Sequence, residues 1–351
     1  MFGFDVRTLR ILWTVFVFAL VVGLIYMVGS TIVVFALAIF LAHLLGPIAE
    51  RLEKLIPAKR VNRSLSLALV YGVIILTLAA VLVPVGSQVA QQAAALAGDL
   101  PASLSGDPLA KLKLPAWLEP ARVQLTAILH DRLSGFEPTL VPMLQDIGSS
   151  MASFLGSLLA LILVPILSFF FLQDSREIHN AIVDLVPGDY RETTEEILED
   201  LHTLLVKYIQ SLVILGVIVL IVFSLVLTLI GVRYPILLAG LAALMEVIPV
   251  IGPLAAGALI LVVGLFTGYG HLGLLFLFLA GFRLLQDYAI NPYLMSSGTA
   301  IHPLLVLFGV LAGEQIAGIP GMFFSVPVMA ALRIIIVRMR RKSITHDVVL
   351  E

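Results

Sequence analysis

The feature that most constrains this chain is a series of apolar runs, each about 20 residues long and nearly free of charge. Simple runs of this kind fall at 9–28, 31–49, 64–86, 150–172, 209–231 and 270–290. About 20 apolar residues are what an α-helix needs to cross the hydrocarbon core of a bilayer. Inside that core only helices and closed barrels satisfy every backbone polar group. The sequence therefore predicts an all-α, polytopic transmembrane helix bundle.

Two further apolar stretches, 235–267 and 303–337, are too long for one upright crossing, because about 33 residues of helix reach roughly 50 Å. Proline and glycine interrupt each stretch near its middle. Each is therefore predicted to be one broken or re-entrant segment of the C-terminal half, which brings the bundle to about eight membrane segments. Both a hairpin and a single kinked crossing fit the charges of the loops, so the two topologies stay open at this point.

Composition excludes several functional classes. Hydrophobic residues make up 60% of the chain and charged residues 13%, whereas soluble domains carry about 25% charge. A net charge of −2 and the absence of a basic block outside the membrane flanks argue against a nucleic-acid partner. The lack of cysteine excludes disulfides and thiol catalysis. Neither a His-Glu-x-x-His nor a G-x-S-x-G motif is present, so we expect no enzyme activity, no cofactor and no metal site.

Positive charge near the ends of short loops predicts orientation. Lysine and arginine cluster at 7–10, 51–63 and 333–342. We expect all three clusters to face the cytoplasm, so that both termini are cytoplasmic and the segment 87–149 is external. The predicted location is the inner (cytoplasmic) membrane, with the protein passing through the lipid bilayer several times.

The predicted organisation has six parts. They are an N-terminal three-helix membrane region (1–86), an external amphipathic segment (87–149), a fourth span (150–172), a cytoplasmic amphipathic helix (173–208), a transport region with two broken helical hairpins (209–338) and a cytoplasmic tail (339–351). Within 173–208, Pro187-Gly188 breaks the chain, and Asp189 with Glu192 three residues on predicts a capping box at a helix start.

The two broken stretches align with each other at one offset of 68 residues. Four identities result: Pro235 with Pro303, Glu246 with Glu314, Ile248 with Ile316 and Ile251 with Ile319. Chance similarity between apolar helices is the alternative explanation. If both stretches are hairpins, each repeat holds one span and one hairpin, and the second repeat is inverted. Inverted repeats with discontinuous helices are typical of secondary transporters.

A few polar residues lie where burial is costly. Arg283 and Asp287 are one turn apart in the span 270–290, and a charge at the bilayer centre costs at least about 2.5–3.5 kcal/mol. They form either part of a pathway or an ion pair that pins the helix near the interface. Glu246 and Glu314 each adjoin a helix break, where they handle solute or protons, or cap freed backbone amides. His302 suits proton relay near neutral pH or an interfacial position without function.

The C-terminal half is similar to the autoinducer-2 exporter family of bacterial membrane proteins. The motifs that carry the resemblance are Glu246-Val-Ile-Pro-Val-Ile-Gly-Pro253, Asp287-Tyr-Ala-Ile-Asn-Pro292, His302-Pro303, Gly313 to Gly321 and Ser325-Val-Pro327. With the length and the spacing of the spans, the similarity covers nearly the whole chain, and the N-terminal half matches in layout. The resemblance implies an exporter with about eight membrane segments, which assembles as a homo-oligomer, by resemblance a pentamer.

Studied members of that family are associated with export of autoinducer-2, and others with sodium/proton antiport. We therefore expect a transporter that exports a small polar solute, autoinducer-2 or a related metabolite. The alternatives are a sodium(lithium)/proton antiporter and a non-transporting membrane scaffold. The residues expected to form the pathway for solute, proton or sodium are Glu246, Glu314, Asp287, Arg283, Asn291 and His302. The residues expected to form helix breaks and hinges are Pro249, Gly252, Pro253, Pro292, Pro303, Gly318, Pro320 and Gly321.

Overall fold

The computed structural model describes residues 6–53, 63–105, 124, 142, 158–294 and 302–349. Over these residues the chain is helical and contains no strand, which confirms the predicted all-α bundle. Most of the predicted external segment, the loop after the second helix and residues 150–157 lie outside the described residues. The helices are α1 (Val6–Met27), α2 (Gly29–Glu53), α3 (Arg63–Ser105), α4 (Leu158–Gln173), α5 (Ser175–Asp184), α6 (Gly188–Leu229), α7 (Pro235–Met245), α8 (Ile251–Phe266), α9 (Leu272–Leu285), a π-helix (Gln286–Ile290), α10 (Asn291–Leu294) and α11 (Pro303–Val349).

Five stretches of the described chain are long and apolar enough to cross a membrane. They are Thr31–Ala49, Leu67–Asp99, Gly188–Leu229, Leu272–Leu294 and Leu304–Lys342. Three shorter apolar helices accompany them: Leu163–Gln173, Pro235–Met245 and Ile251–Phe266. The protein is therefore a multi-pass membrane protein.

Two of these helices extend well beyond a bilayer. α3 has 43 residues and α6 has 42, so each is about 63–65 Å long at 1.5 Å per residue, against a hydrocarbon core of about 30 Å. The predicted amphipathic stretch after residue 87 is thus the C-terminal part of α3, and the predicted cytoplasmic helix runs without a break into a span. The predicted capping box is wrong. Pro187 precedes the first helical residue, no side chain caps this helix end, and Asp189 lies inside the first turn.

The first broken stretch is a helical hairpin. α7 ends at Met245 and α8 begins at Ile251, and the two helices pack against each other within the main apolar core. Pro249 lacks an N–H and disfavours helix at the residue before it. Val250 adopts φ +66°, a conformation that is rare for a β-branched residue. The sharp turn places a Cβ built on Gly252 only 1.7 Å from the Met245 carbonyl oxygen, so glycine is required there.

The second broken stretch is also a hairpin, although helix runs through almost all of its length. Ala317 (φ −143°, ψ 18°) and Gly318 (φ 61°, ψ −138°) are non-helical and divide α11 into two arms, 303–316 and 319–349. A Cβ on Gly313 would lie 2.3 Å from the Gly321 carbonyl oxygen, and one on Gly309 would lie 3.1 Å from the Met329 side chain. Residues that would be far apart on one straight helix therefore touch, and the arms are antiparallel.

The two hairpin tips agree with the alignment found in the sequence. Val250 and Gly318, the positive-φ residues of the two tips, are 68 residues apart. The close backbone crossings lie at nearly the same places, because Gly252 approaches Met245 and Gly321 approaches Gly313, 69 and 68 residues further along the chain. Each hairpin follows a helical stretch long enough to cross a membrane, Gly188–Leu229 or Leu272–Leu294. Backbone geometry thus supports the repeat, for which the four sequence identities alone could also be explained by chance.

The main core joins the first hairpin to three neighbouring helices. Its buried side chains come from the C-terminal end of α3, from α6, α7 and α8, and from α9. Val219, Leu227, Leu237 and Leu275 are completely buried in it. This core fixes the first hairpin tip against the end of α9, where the polar residues lie.

Candidate functional site

The candidate site centres on Glu246, the residue that follows α7 at the first hairpin tip. Its side chain is 7% exposed. Gln286, which is 2% exposed, donates a hydrogen bond from Nε2 to Glu246 Oε2 at 2.8 Å. A buried carboxylate requires such partners, because an unpaired buried charge is strongly unfavourable. The contact also joins the two repeats, since Glu246 belongs to the first and Gln286 to the second.

An ion pair lies beside this contact. Arg283 Nε is 2.9 Å from Asp287 Oδ2, with the side chains 28% and 39% exposed. Asn291 donates from Nδ2 to Asp287 Oδ1 at 3.4 Å, while its Oδ1 is buried without a hydrogen-bond partner among the described residues. We call Glu246, Arg283, Gln286, Asp287 and Asn291 the Glu246 cluster. It offers both charges and an unused acceptor within one region of the bundle.

The π-helix Gln286–Ile290 supplies two residues of the cluster, Gln286 and Asp287, and Asn291 follows it directly. A π-helix closes hydrogen bonds five residues apart, and such turns occur frequently at functional sites. Here it turns Gln286 towards the buried tip of the first hairpin, while Asp287 points to the more exposed Arg283. One helix thereby presents a neutral amide and a carboxylate to two different environments.

The predicted pathway residues do not all come together. Glu246, Arg283, Asp287 and Asn291 form one cluster, whereas Glu314 is exposed on the second hairpin. Within the described part of the chain, Glu314 forms no hydrogen bond or ion pair. His302 is exposed and caps the start of α11, because its Nδ1 accepts the N–H of Leu304 at 3.2 Å.

The predicted hinge residues separate by position. Pro249, Gly252 and Pro253 lie at the first tip, and Gly318, Pro320 and Gly321 lie at the second. Pro303 is the first residue of α11 and Pro292 lies in α10. The first six therefore occupy the breaks, while the other two stand near helix starts, where proline is well tolerated.

Sequence reasoning missed Gln286 as a site residue. Gln286 follows the apolar helix α9, one turn beyond Phe282, and no motif in the sequence marks it. The π-helix and the fold of the first hairpin bring it to Glu246. The described residues contain no group of three or more His, Asp or Glu side chains that could hold a metal ion. The side chains of the cluster themselves provide hydrogen-bond donors and acceptors, charges and a carboxylate that can bind a proton.

A second polar contact, also absent from the predictions, holds the start of the first hairpin. Gln92 of α3 accepts the N–H of Leu237 at 2.9 Å, one of the first-turn N–H groups that lack an intrahelical partner. Tyr234, at φ +59°, donates its hydroxyl to Asp99. Desolvation and the Asp99 carboxylate raise the pKa of Tyr234 to about 12, so it remains a donor at physiological pH. The C-terminal end of α3 thus anchors the hairpin.

Comparisons with known proteins agree with this architecture. A family model described as "AI-2E family transporter" matches residues 15–341. "Putative transport protein YueF" of Bacillus subtilis (strain 168) is 25% identical over 84% of this chain and 80% of its own length. "Putative permease PerM" of Escherichia coli (strain K12) is 26% identical over 90% of this chain and 89% of its own. A "Putative transport protein" of Methanothermobacter thermautotrophicus is 28% identical, with 80% coverage of both.

Proposed function

This chain belongs to the AI-2E family of transporters, and from that premise we propose that it exports a small polar solute, autoinducer-2 or a related metabolite, from the cytoplasm. One observation supports the proposal most: Glu246 is 7% exposed at a break between two apolar helices. Backbone groups freed by such a break persist in a membrane only against protein, water or a polar ligand. A polar ligand held there would find donors and acceptors that the surrounding apolar helices lack.

The proposed pathway runs along the Glu246 cluster. Arg283 and Asp287 would attract and orient the polar groups of the solute, and Asn291 would supply the unpaired Oδ1. Glu314 and His302 would stand at another part of the route, since an inverted repeat would place the second tip on the opposite side of a pseudo-symmetric site. The breaks at Gly252 and Gly318 would act as hinges.

Sodium or lithium exchange against protons is the second candidate function. Its support is the oxygen-rich character of the cluster, in which Glu246, Asp287 and Asn291 provide acceptors. Hard monovalent cations bind through oxygen ligands, and a carboxylate that alternately binds a cation and a proton couples the two. Glu246 would be the exchanging group in that case.

Transport by purified protein in liposomes tests both candidates in one preparation. Vesicles loaded with autoinducer-2 should lose it faster than protein-free vesicles if the solute proposal holds. Vesicles containing a pH indicator should acidify or alkalise on addition of sodium or lithium if the antiport candidate holds. Activity in neither assay, from protein that remains folded, would refute both candidates.

We further propose an inner-membrane location with cytoplasmic termini and a homo-oligomeric state, by resemblance a pentamer. Support for assembly comes from apolar side chains on the second hairpin, among which Ile316 and Ile319 at the tip are 80% and 66% exposed. Native mass spectrometry in mild detergent should then show a species of several copies. Monomers at every protein concentration would contradict the oligomer.

A further inference from the structure

The contact between Glu246 and Gln286 has a chemical property that the rest of the cluster does not share. A carboxylate only accepts hydrogen bonds when ionised, and it becomes a donor when it binds a proton. A primary amide has both a donor nitrogen and an acceptor oxygen. Gln286 therefore can donate Nε2–H to ionised Glu246, as in the structure at 2.8 Å, and accept the O–H of protonated Glu246 through Oε1 after its amide turns over.

We propose that Gln286 is the positioning residue of the site: it holds Glu246 at the first hairpin tip in both protonation states, and so links the proton on Glu246 to the second repeat. The inference rests on the proposed transport function for its purpose, although the contact itself does not. Leucine in the same place could fill space but could not bond either state. A carboxylate could bond only when the pair holds a proton.

The other groups around Glu246 do not hold its carboxyl group as Gln286 does. The charged side chains that act on Glu246 are Arg283 and Asp287, which carry opposite charges and bind each other at 2.9 Å. Among the helices packed against α7, α8 contains no ionisable residue and α6 contains none beyond Tyr208. The C-terminal end of α3 brings Asp99, which binds Tyr234 and Arg233 at the far end of α7. Gln286 is the side chain that hydrogen-bonds to Glu246.

The position of Gln286 in the helix links its contact with Glu246 to the neighbouring ion pair. It is the first residue of the π-helix, and Asp287 follows at once. A residue step of a regular helix turns the next side chain by about 100°, so the register at Gln286 decides where Asp287 and Asn291 face. A change of partner at Glu246 therefore reaches the Arg283–Asp287 ion pair through one helical turn.

The test uses four proteins, wild type, Q286E, Q286L and the exchanged pair E246Q/Q286E, with thermal unfolding in detergent measured from pH 5 to pH 8. In Q286E two neighbouring buried carboxylates favour shared protonation. Their proton affinity in the folded state then exceeds that of the unfolded chain, so stability falls as pH rises. Between pH 5 and pH 8, Q286E should lose about tenfold more in its folded-to-unfolded ratio than wild type does, or about 1.4 kcal/mol of stability.

The exchanged pair keeps one amide and one carboxyl group in contact and should return the pH profile of unfolding to that of wild type. Q286L should show a steeper pH dependence than wild type, because Glu246 loses its partner. The same profile for wild type, Q286E and Q286L would overturn the inference, as would an exchanged pair no better than Q286E. If Q286E does not fold, comparison of Q286L with wild type decides in the same way.

Transport in liposomes provides the second arm. Under the inference, Q286L keeps folded protein but shifts the pH at which transport is half-maximal, whereas a space-filling role leaves that pH unchanged. If wild type transports neither solute nor cation while the unfolding profiles behave as expected, the proposed function fails and the positioning role stands. If transport is present and Q286L leaves both pH profiles as in wild type, the positioning role fails alone.

Discussion

Replacing Gly252 by alanine should break the first hairpin tip. The added Cβ would lie 1.7 Å from the Met245 carbonyl oxygen, 2.7 Å from the Met245 carbonyl carbon and 3.3 Å from the Ile248 Cβ. The nearest two atoms are backbone, so no side-chain rotation relieves the contact. Because Cβ atoms essentially never approach within 3.0 Å of another heavy atom, α7 and α8 must separate by about 1.3 Å at this point or the turn must change.

The size of the effect follows from two opposing contributions. Overpacking a well-packed site costs about 1–3 kcal/mol, and a contact against backbone lies at the upper end of that range. Alanine in place of glycine within a helix returns at most about 1 kcal/mol. The net expectation is a loss of about 1–2 kcal/mol in the free energy of unfolding. Met245 precedes Glu246, so a shift of about 1.3 Å would also stretch its 2.8 Å hydrogen bond to Gln286 beyond bonding distance.

Gly257 provides the matched control, because it lies in the same helix and a Cβ there meets nothing within 4 Å. Thermal unfolding of detergent-purified protein should show a lower midpoint for G252A and an equal or higher midpoint for G257A. Transport in liposomes should fall in G252A only. Equal midpoints for the two variants would show that the tip can open freely, and would refute the close crossing on which the hairpin argument depends.

Three further predictions follow from other contacts. G313A should lower the unfolding midpoint because its Cβ would lie 2.3 Å from the Gly321 carbonyl oxygen, whereas G281A, with nothing within 4 Å, should not. Q92A should lower the free energy of unfolding by about 1 kcal/mol, because it removes the acceptor of a first-turn N–H. Q92E keeps an acceptor and should retain most of the wild-type stability; equal losses of stability in the two variants would refute the capping role of Gln92. An impermeant maleimide should label S105C in intact cells and A58C only after lysis, since the native chain has no thiol; the reverse pattern would invert the topology.

The sequence predicts the elements that depend on local pattern. Four of the six predicted runs, 31–49, 64–86, 209–231 and 270–290, fall largely within helical stretches long and apolar enough to cross a membrane. Pro249 with Gly252 marks the first tip correctly, because proline and glycine act on the backbone of their own neighbourhood. The capping box at Asp189 fails because Gly188 already begins the helix, two residues before the Tyr190 start that an Asp189 cap requires. Local signals fix the kind of element better than its exact end.

The site is harder to predict because its contacts are long-range. Glu246 meets Gln286 across 40 residues, through a π-helix that no pattern in the sequence indicates. The C-terminal end of α3 reaches Leu237 through Gln92 across 145 residues. The repeat makes Glu246 and Glu314 look equivalent, yet the core covers the first tip and leaves Glu314 exposed. Tertiary packing, which decides burial, separates the two glutamates.

The central claim, that the buried carboxylate of Glu246 is the working group of transport, is tested most directly by the pH dependence of transport in E246Q. Glutamine keeps the shape and the hydrogen bonding of the side chain but cannot titrate. E192Q, which changes an exposed glutamate of α6, serves as the control for removing one acidic group. The account predicts that E246Q folds normally, transports much more slowly and loses the pH dependence, while E192Q behaves as wild type. Wild-type transport with an unchanged pH profile in E246Q would contradict it.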